Sequence, residues 1–179
     1  MGGVLSWRSL GWLFLGLVVS VGTVSHAATT EDAGDRSAVG RVTGYPLPRF
    51  VTLRSAEVNL RTGPGVRYPI VWIYRRKGLP VEIIEEFGTW RMVRDVDGDE
   101  GWVHESLLAG SRAVILRQDE ELRGEPVGTA AVTARAKAGH IAPLESCVAS
   151  WCRLSASGAV AWIEEDRIWG VRNGETYDD

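Results

Sequence analysis

Few residues in this chain have the types and spacing that support chemistry. Cys147 and Cys152 stand in "ESCVASWCRL" with four residues between them. A redox-active pair has two residues between its thiols, and a zinc site needs further soft ligands that His140 alone does not supply. Two positions flanking a short hairpin loop, by contrast, face each other across the strands at a separation that a disulfide tolerates. The spacing therefore favours a structural disulfide. With the thiols joined, no cysteine nucleophile remains for a histidine to activate. His104 and His140 each read as polar residues at strand ends. Glu82, Glu85 and Glu86 offer carboxylates, but glycoside hydrolysis needs a deep cleft and one acid of raised pKa. They read instead as a charged strand face. "DVDGDEG", residues 95–101, invites a calcium loop. A calcium loop takes Gly at its sixth place and Glu at its twelfth, and counting from Asp95 those places hold Glu100 and Ser106. The segment reads as a solvated acidic turn. No metal, no cofactor and no catalytic set is expected, so the chain reads as a non-enzyme.

Binding chemistry is better represented. Of eight tryptophans, six follow residue 27, at 72, 90, 102, 151, 162 and 169. "YPIVWIYRRKG", residues 68–78, sets Tyr68, Trp72 and Tyr74 beside Arg75 and Arg76. Trp72 and Tyr74 share a strand face. An exposed aromatic strip next to guanidinium groups suits a peptide stem, a sugar ring or a proline-rich segment. A Trp72 that merely covers a barrel mouth is the equally weighted alternative. Charge is segregated as well. Arg54, Arg61, Arg67, Arg75, Arg76 and Lys77 face only Glu57 in one stretch, whereas residues 82–105 carry eight acids against Arg91 and Arg94.

Elements that position these groups follow from composition. Residues 1–27 read as a secretory signal: Arg8, an apolar run over 10–19, then Ser25-His26-Ala27 as a cleavage site. The run is glycine-interrupted and short for a bilayer span, so cleavage near Ala27 is favoured over a retained anchor. No stable membrane insertion is expected afterwards. Cleavage removes one of 20 basic residues and no acid, leaving 19 against 23 and a formal charge of −4. Such a chain has no bulk attraction for nucleic acid. Residues 28–49, rich in Thr, Glu, Asp, Gly, Ser and Pro, read as a flexible leader. From Phe50 onward, β-branched and aromatic runs alternate with turn residues about every ten positions, as in small all-β folds. Asp97-Gly98 reads as a two-residue hairpin turn with positive φ at both positions. Trp90 and Met92 share a face.

The pattern occurs twice. "PVEIIEEFGTWRMVRDVDGDEGWVHESLL" (80–108) lies over "HIAPLESCVASWCRLSASGAVAWIEEDRI" (140–168). Trp90 and Trp102 fall on Trp151 and Trp162, and all four are expected in the cores. Cys147 and Cys152 fall on Glu86 and Arg91, so an ion pair and a disulfide would close the same hairpin. Residues 112–139 align poorly with the first copy.

These residues resemble the bacterial SH3-like domain. Its opening strand matches Val58-Asn59-Leu60-Arg61-Thr62-Gly63-Pro64-Gly65. Its core and closing strands match Trp90-Arg91-Met92-Val93 and Gly101-Trp102-Val103. The second copy keeps the Trp151 and Trp162 anchors but lacks the Asn-Leu-Arg and Gly-Pro-Gly elements. The resemblance implies an all-β chain of two small SH3-like barrels in tandem: residues 50–110, a degenerate copy over 111–171, and a C-terminal tail over 172–179. Asn59, Gly63, Pro64 and Gly65 are the structural turn, with the glycines accepting angles other residues resist and Asn59 capping the loop through its amide. Export, leader and tandem resemble short proteins of Gram-negative bacteria. The expected role is a periplasmic module that binds a peptidoglycan fragment or another periplasmic protein. The alternative is a scaffold subunit of an envelope complex without wall affinity.

Overall fold

The computed structural model describes residues 38–156 and 158–178. The expected signal segment, and the expected leader up to residue 37, lie outside them. The described chain is all-β. A small hairpin comes first, β1 (Ala38–Val39) with β2 (Pro46–Leu47). The first barrel follows: β3 (Arg49–Leu53), β4 (Val58–Arg61), β5 (Ile70–Tyr74), β6 (Pro80–Phe87), β7 (Trp90–Arg94), β8 (Glu100–His104) and β9 (Leu108–Ala109). Its strand order is β5-β4-β8-β7-β6-β3-β9, which makes β5 an edge. The second barrel repeats this with β10 (Ala113–Leu116), β11 (Glu120–Arg123), β12 (Val132–Ala136), β13 (Ile141–Val148), β14 (Trp151–Ala156), β15 (Ala159–Glu164) and β16 (Ile168–Trp169). Its order is β12-β11-β15-β14-β13-β10-β16, and β17 (Tyr177–Asp178) adds onto β13.

Each barrel closes over aliphatic side chains. Leu53, Val58, Leu60, Val81, Ile83, Val93 and Val103 fill the first; Val114, Leu116, Leu122, Leu144, Leu154 and Ile163 fill the second. No tryptophan belongs to either core among the described residues. This corrects the expectation for Trp90, Trp102, Trp151 and Trp162, all of which are half-buried. Alternation explains it. On β7 the inward positions are Arg91 and Val93, so Trp90 and Met92 do share a face, but the outer one. A barrel this narrow takes Val and Leu inside, and the indoles cover its outer surface.

Part of the segment expected to be flexible is ordered, and so is the C-terminal tail. From Ala38 the leader forms a hairpin that buries Leu47 against the first core. The tail returns through Tyr177, which packs on the second core and opposes Cys147 in register. The barrels also clasp each other. Phe50 meets Trp169 edge-on with ring centroids 5.0 Å apart, the Thr52 and Ser111 hydroxyls bond at 2.8 Å, and the Arg112 guanidinium lies 5.7 Å from the Phe50 ring centre. Trp169 thus acts as an inter-barrel pin.

The turn after β7 also differs from the expected two-residue hairpin. Only Gly98 has positive φ, at 91°. Asp95 begins a longer loop, its amide donating to the Asp99 carbonyl and its carboxylate accepting from the amides of Asp97 and Asp99. Asp95 is buried, so the turn is organised from within rather than solvated throughout.

Candidate functional site

The aromatic strip is built on the loop between β4 and β5. The Thr62 amide donates to the Pro69 carbonyl across the loop's neck, the Gly65 amide to Gly63, and the Tyr68 amide to Gly65. Arg61 holds the loop from beneath: Nη1 donates to the carbonyls of Val66 at 3.0 Å and Tyr68 at 2.8 Å. The expected Asn59 cap is not made. Among the described residues its side chain has no hydrogen bond, and the loop carbonyls of Val66 and Tyr68 are instead taken by Arg61 Nη1.

The glycines also serve another purpose than expected. Neither Gly63 nor Gly65 has positive φ. The Tyr68 ring folds back over both, so that a Cβ at Gly63 would overlap the ring and one at Gly65 would press it at 3.3 Å. Pro64 between them stiffens the corner. The loop is therefore shaped to seat Tyr68 flat while leaving it 42 % exposed.

Beyond the loop, β5 presents Ile70, Val71, Trp72 and Ile73 to solvent, with Trp72 57 % exposed. Both faces of this edge strand are open along that stretch. Tyr74 departs from the strip. It is only 5 % exposed, and its hydroxyl donates to Asp95 at 2.9 Å. Burial, then the Asp95 bond and the nearby Asp99 and Asp97 charges, push its phenol well above the usual range. Tyr74 is thus a structural tyrosine and not a surface ring. Arg75 is exposed and pairs with Glu57 at 3.1 Å. Arg76 is exposed with no ion-pair partner among the described residues.

The second barrel carries the same loop without its rings. Gly124 donates to Ala131, Val127 to Glu125, and Ala130 to Val127, repeating the first loop bond for bond at an offset of 62. Arg123 replaces Arg61, donating to Ala130, and pairs with Trp162 as Arg61 pairs with Trp102. So "ELRGEPVG" is the counterpart of "NLRTGPGV", and the second copy does retain Leu122, Arg123 and Pro126. Sequence reading missed this because Glu125 and Val127 stand where the first copy has Gly63 and Gly65. They can do so because Ala130 replaces Tyr68. Ala134 and Ala136 replace Trp72 and Tyr74 in the same register.

Electrostatics hold the frame of the first barrel. Glu86 is not on a charged surface face; its side chain is 1 % exposed. It accepts from the amides of Val42 and Thr43 and the Thr43 hydroxyl, all in the first hairpin, and from Arg49 at the start of β3. Burial alone would raise its pKa, but these donors hold it down to about 2. Glu86 and Arg91 are paired in register on β6 and β7, where the second barrel has Cys147 and Cys152 on β13 and β14. The disulfide is formed, and both sulfurs belong to the second core. Arg91, itself 4 % exposed, also bonds Glu105 and the carbonyls of Gly88 and Trp90. His104 caps the following 3-10 turn by accepting from the Ser106 amide. No cluster of three His, Cys, Asp or Glu suited to a metal occurs among the described residues.

A family model described as "Bacterial SH3 domain" matches the chain twice, over residues 54–110 and 120–170. The chain belongs to the bacterial SH3 domain family. Its second match begins at β11, on the strand that carries Leu122 and Arg123. Two solved structures resemble this bacterial SH3 protein: NlpC1 from Trichomonas vaginalis, with TM-score 0.33, 14 % identity and coverage of 73 % of this chain and 48 % of that one; and NlpC2 from the same organism, with TM-score 0.33, 14 % identity and coverage of 70 % and 49 %. The chain spans about half the length of each. No curated protein matches it. Among the described residues no helix is long and apolar enough to cross a membrane.

Proposed function

We propose that this tandem bacterial SH3 protein is a non-catalytic periplasmic module that binds cell-envelope material, a peptide or glycan of peptidoglycan, through its first barrel. One observation carries the reading. The first copy has glycine at two positions where a Cβ would overlap or press the exposed Tyr68 ring, and it displays Trp72 on the adjacent edge, while the second copy has Ala130 and Ala134 there. Large exposed aromatic rings on a rigid loop recognise sugar faces and extended peptides at low entropic cost. Arg75 and Arg76 at the strand end add charge for acidic groups. The second barrel is the buttress, closed by its disulfide and pinned by Trp169.

Retention of the full chain on purified peptidoglycan tests this. Tyr68→Ala and Trp72→Ala should each lower retention severalfold, and Arg135→Ala on the second barrel should not. Equal retention of all three variants overturns the site. A second reading draws on β5 being an edge strand exposed on both faces: such an edge can accept a strand from another protein. A periplasmic pull-down in which added wall fragments fail to displace the captured protein would favour that scaffold role.

A further inference from the structure

A separate cleft of about 450 Å³ opens at the seam of the two barrels. Arg76 and Lys77, just past β5, line it from the first barrel, and His140, just before β13, lines it from the second. Arg112 and the hydroxyl-bearing Thr52 and Ser111 lie between them. No acidic residue lines it. Arg112 is neutralised, since Glu175 takes both of its terminal nitrogens at 2.7 and 3.0 Å. Arg76 and Lys77 have no carboxylate partner among the described residues, where nine of the other basic side chains have one. The Thr52 and Ser111 hydroxyls bond each other at 2.8 Å, and the one that accepts in that bond keeps its own proton to donate. A concave surface with two unneutralised cations, two hydroxyls and an imidazole, and with no opposing acid, attracts negative charge and focuses it inward.

We propose that this seam cleft binds an oxyanion, the carboxylate or phosphate group of a ligand. Arg76 supplies a planar fork, Lys77 a point charge, and the bonded Ser111–Thr52 hydroxyl pair one neutral donor. Because both barrels form the walls, the clasp through Phe50 and Trp169 sets the cleft's width, which gives the degenerate second copy a part in binding. The cleft does not depend on the aromatic strip. It deepens the envelope reading only by naming the charged group such a ligand would bring.

The test is a titration of the full chain followed by backbone amide resonances. The probes are inorganic phosphate, N-acetyl-alanyl-alanine with a free carboxylate, and the same dipeptide as its C-terminal amide. Phosphate or the free acid, or both, should shift the amides of Gly78, Ser111, Ala113 and His140, and the amide probe should not. The tighter of the two anions identifies the source of the group. Arg76→Gln with Lys77→Gln should weaken binding about tenfold or more, the loss expected when charge-assisted hydrogen bonds are removed. Both side chains are exposed and unpaired, so a dispersed spectrum confirms that the variant folds. Trp72→Ala should leave the anion titration unchanged. Absence of shifts with both anions, equal shifts with the amide, or unchanged affinity in the double variant overturns the proposal. If the anion titration fails while wall retention still depends on Trp72, only the cleft is lost. If anions bind and retention is indifferent to Trp72, only the strip is lost.

Discussion

Replacing Glu86 with Gln tests whether an ionised, buried carboxylate anchors the first hairpin to the first barrel. The change conserves volume and keeps one acceptor, but it removes the charge that Arg49 and the Val42 and Thr43 amides converge upon. The folded pKa is about 2 against an ordinary value of 4.5. At roughly 1.4 kcal/mol per unit, the ionised form contributes about 3 kcal/mol. Because the folded value is depressed, that contribution is complete above the unfolded pKa and fades as pH falls through about 4.5 toward about 2. Urea unfolding followed by tryptophan fluorescence at neutral pH should show the variant about 3 kcal/mol less stable. The wild-type advantage should shrink steadily on acidification and nearly vanish near pH 2. Subtracting the two curves removes the contribution of every other acid. If the two stabilities fall in parallel with pH, Glu86 is not the anchor. If instead the global transition is unmoved but cleavage after Arg41 quickens, the bond holds the hairpin alone and the barrel folds without it.

Gly63→Ala should cost about 1–3 kcal/mol by overpacking against the Tyr68 ring. Adding Tyr68→Ala should recover most of that loss in thermal unfolding, and simple additivity of the two changes would refute the packing account. Tyr74→Phe should destabilise by about 1–2 kcal/mol because buried Asp95 loses a donor, and the wild-type phenol should resist alkaline ionisation until the chain unfolds. Reducing Cys147–Cys152 should lower stability by only about 2 kcal/mol, since the closed loop is short, and should leave peptidoglycan retention intact.

The hairpin pairing of each barrel was legible because it is written in paired chemistry. An acid and a base at Glu86 and Arg91, and two thiols at Cys147 and Cys152, both announce facing positions, and the β-sheet register carries them as such. What escaped sequence reading was direction: whether a group points in or out. Period-two alternation placed Trp90 with Met92 but could not say which face meets the core, since an indole suits either side of a half-buried sheet. The same ambiguity hid Glu86, read as solvent-facing when it is the most enclosed acid of its strand, and Tyr74, read as a surface ring.

The leader was illegible for another reason. Its composition matches a disordered segment, and its order from Ala38 depends on a tertiary partner, the Glu86 carboxylate, that no local pattern reveals. The second copy's loop was missed because its motif glycines are not intrinsic to the turn. They accompany Tyr68 and disappear where the ring does, at Ala130. Gly-Pro-Gly is therefore a mark of what the loop displays rather than of how it bends. A copy of this barrel that keeps Leu-Arg and Pro but loses both glycines retains the scaffold without the ring. Restoring glycine at Glu125 and Val127 together with Ala130→Tyr should seat a second exposed tyrosine on the second barrel. If Ala130→Tyr alone is tolerated without loss of stability, the glycines are not required by the ring, and the distinction drawn between the two copies falls.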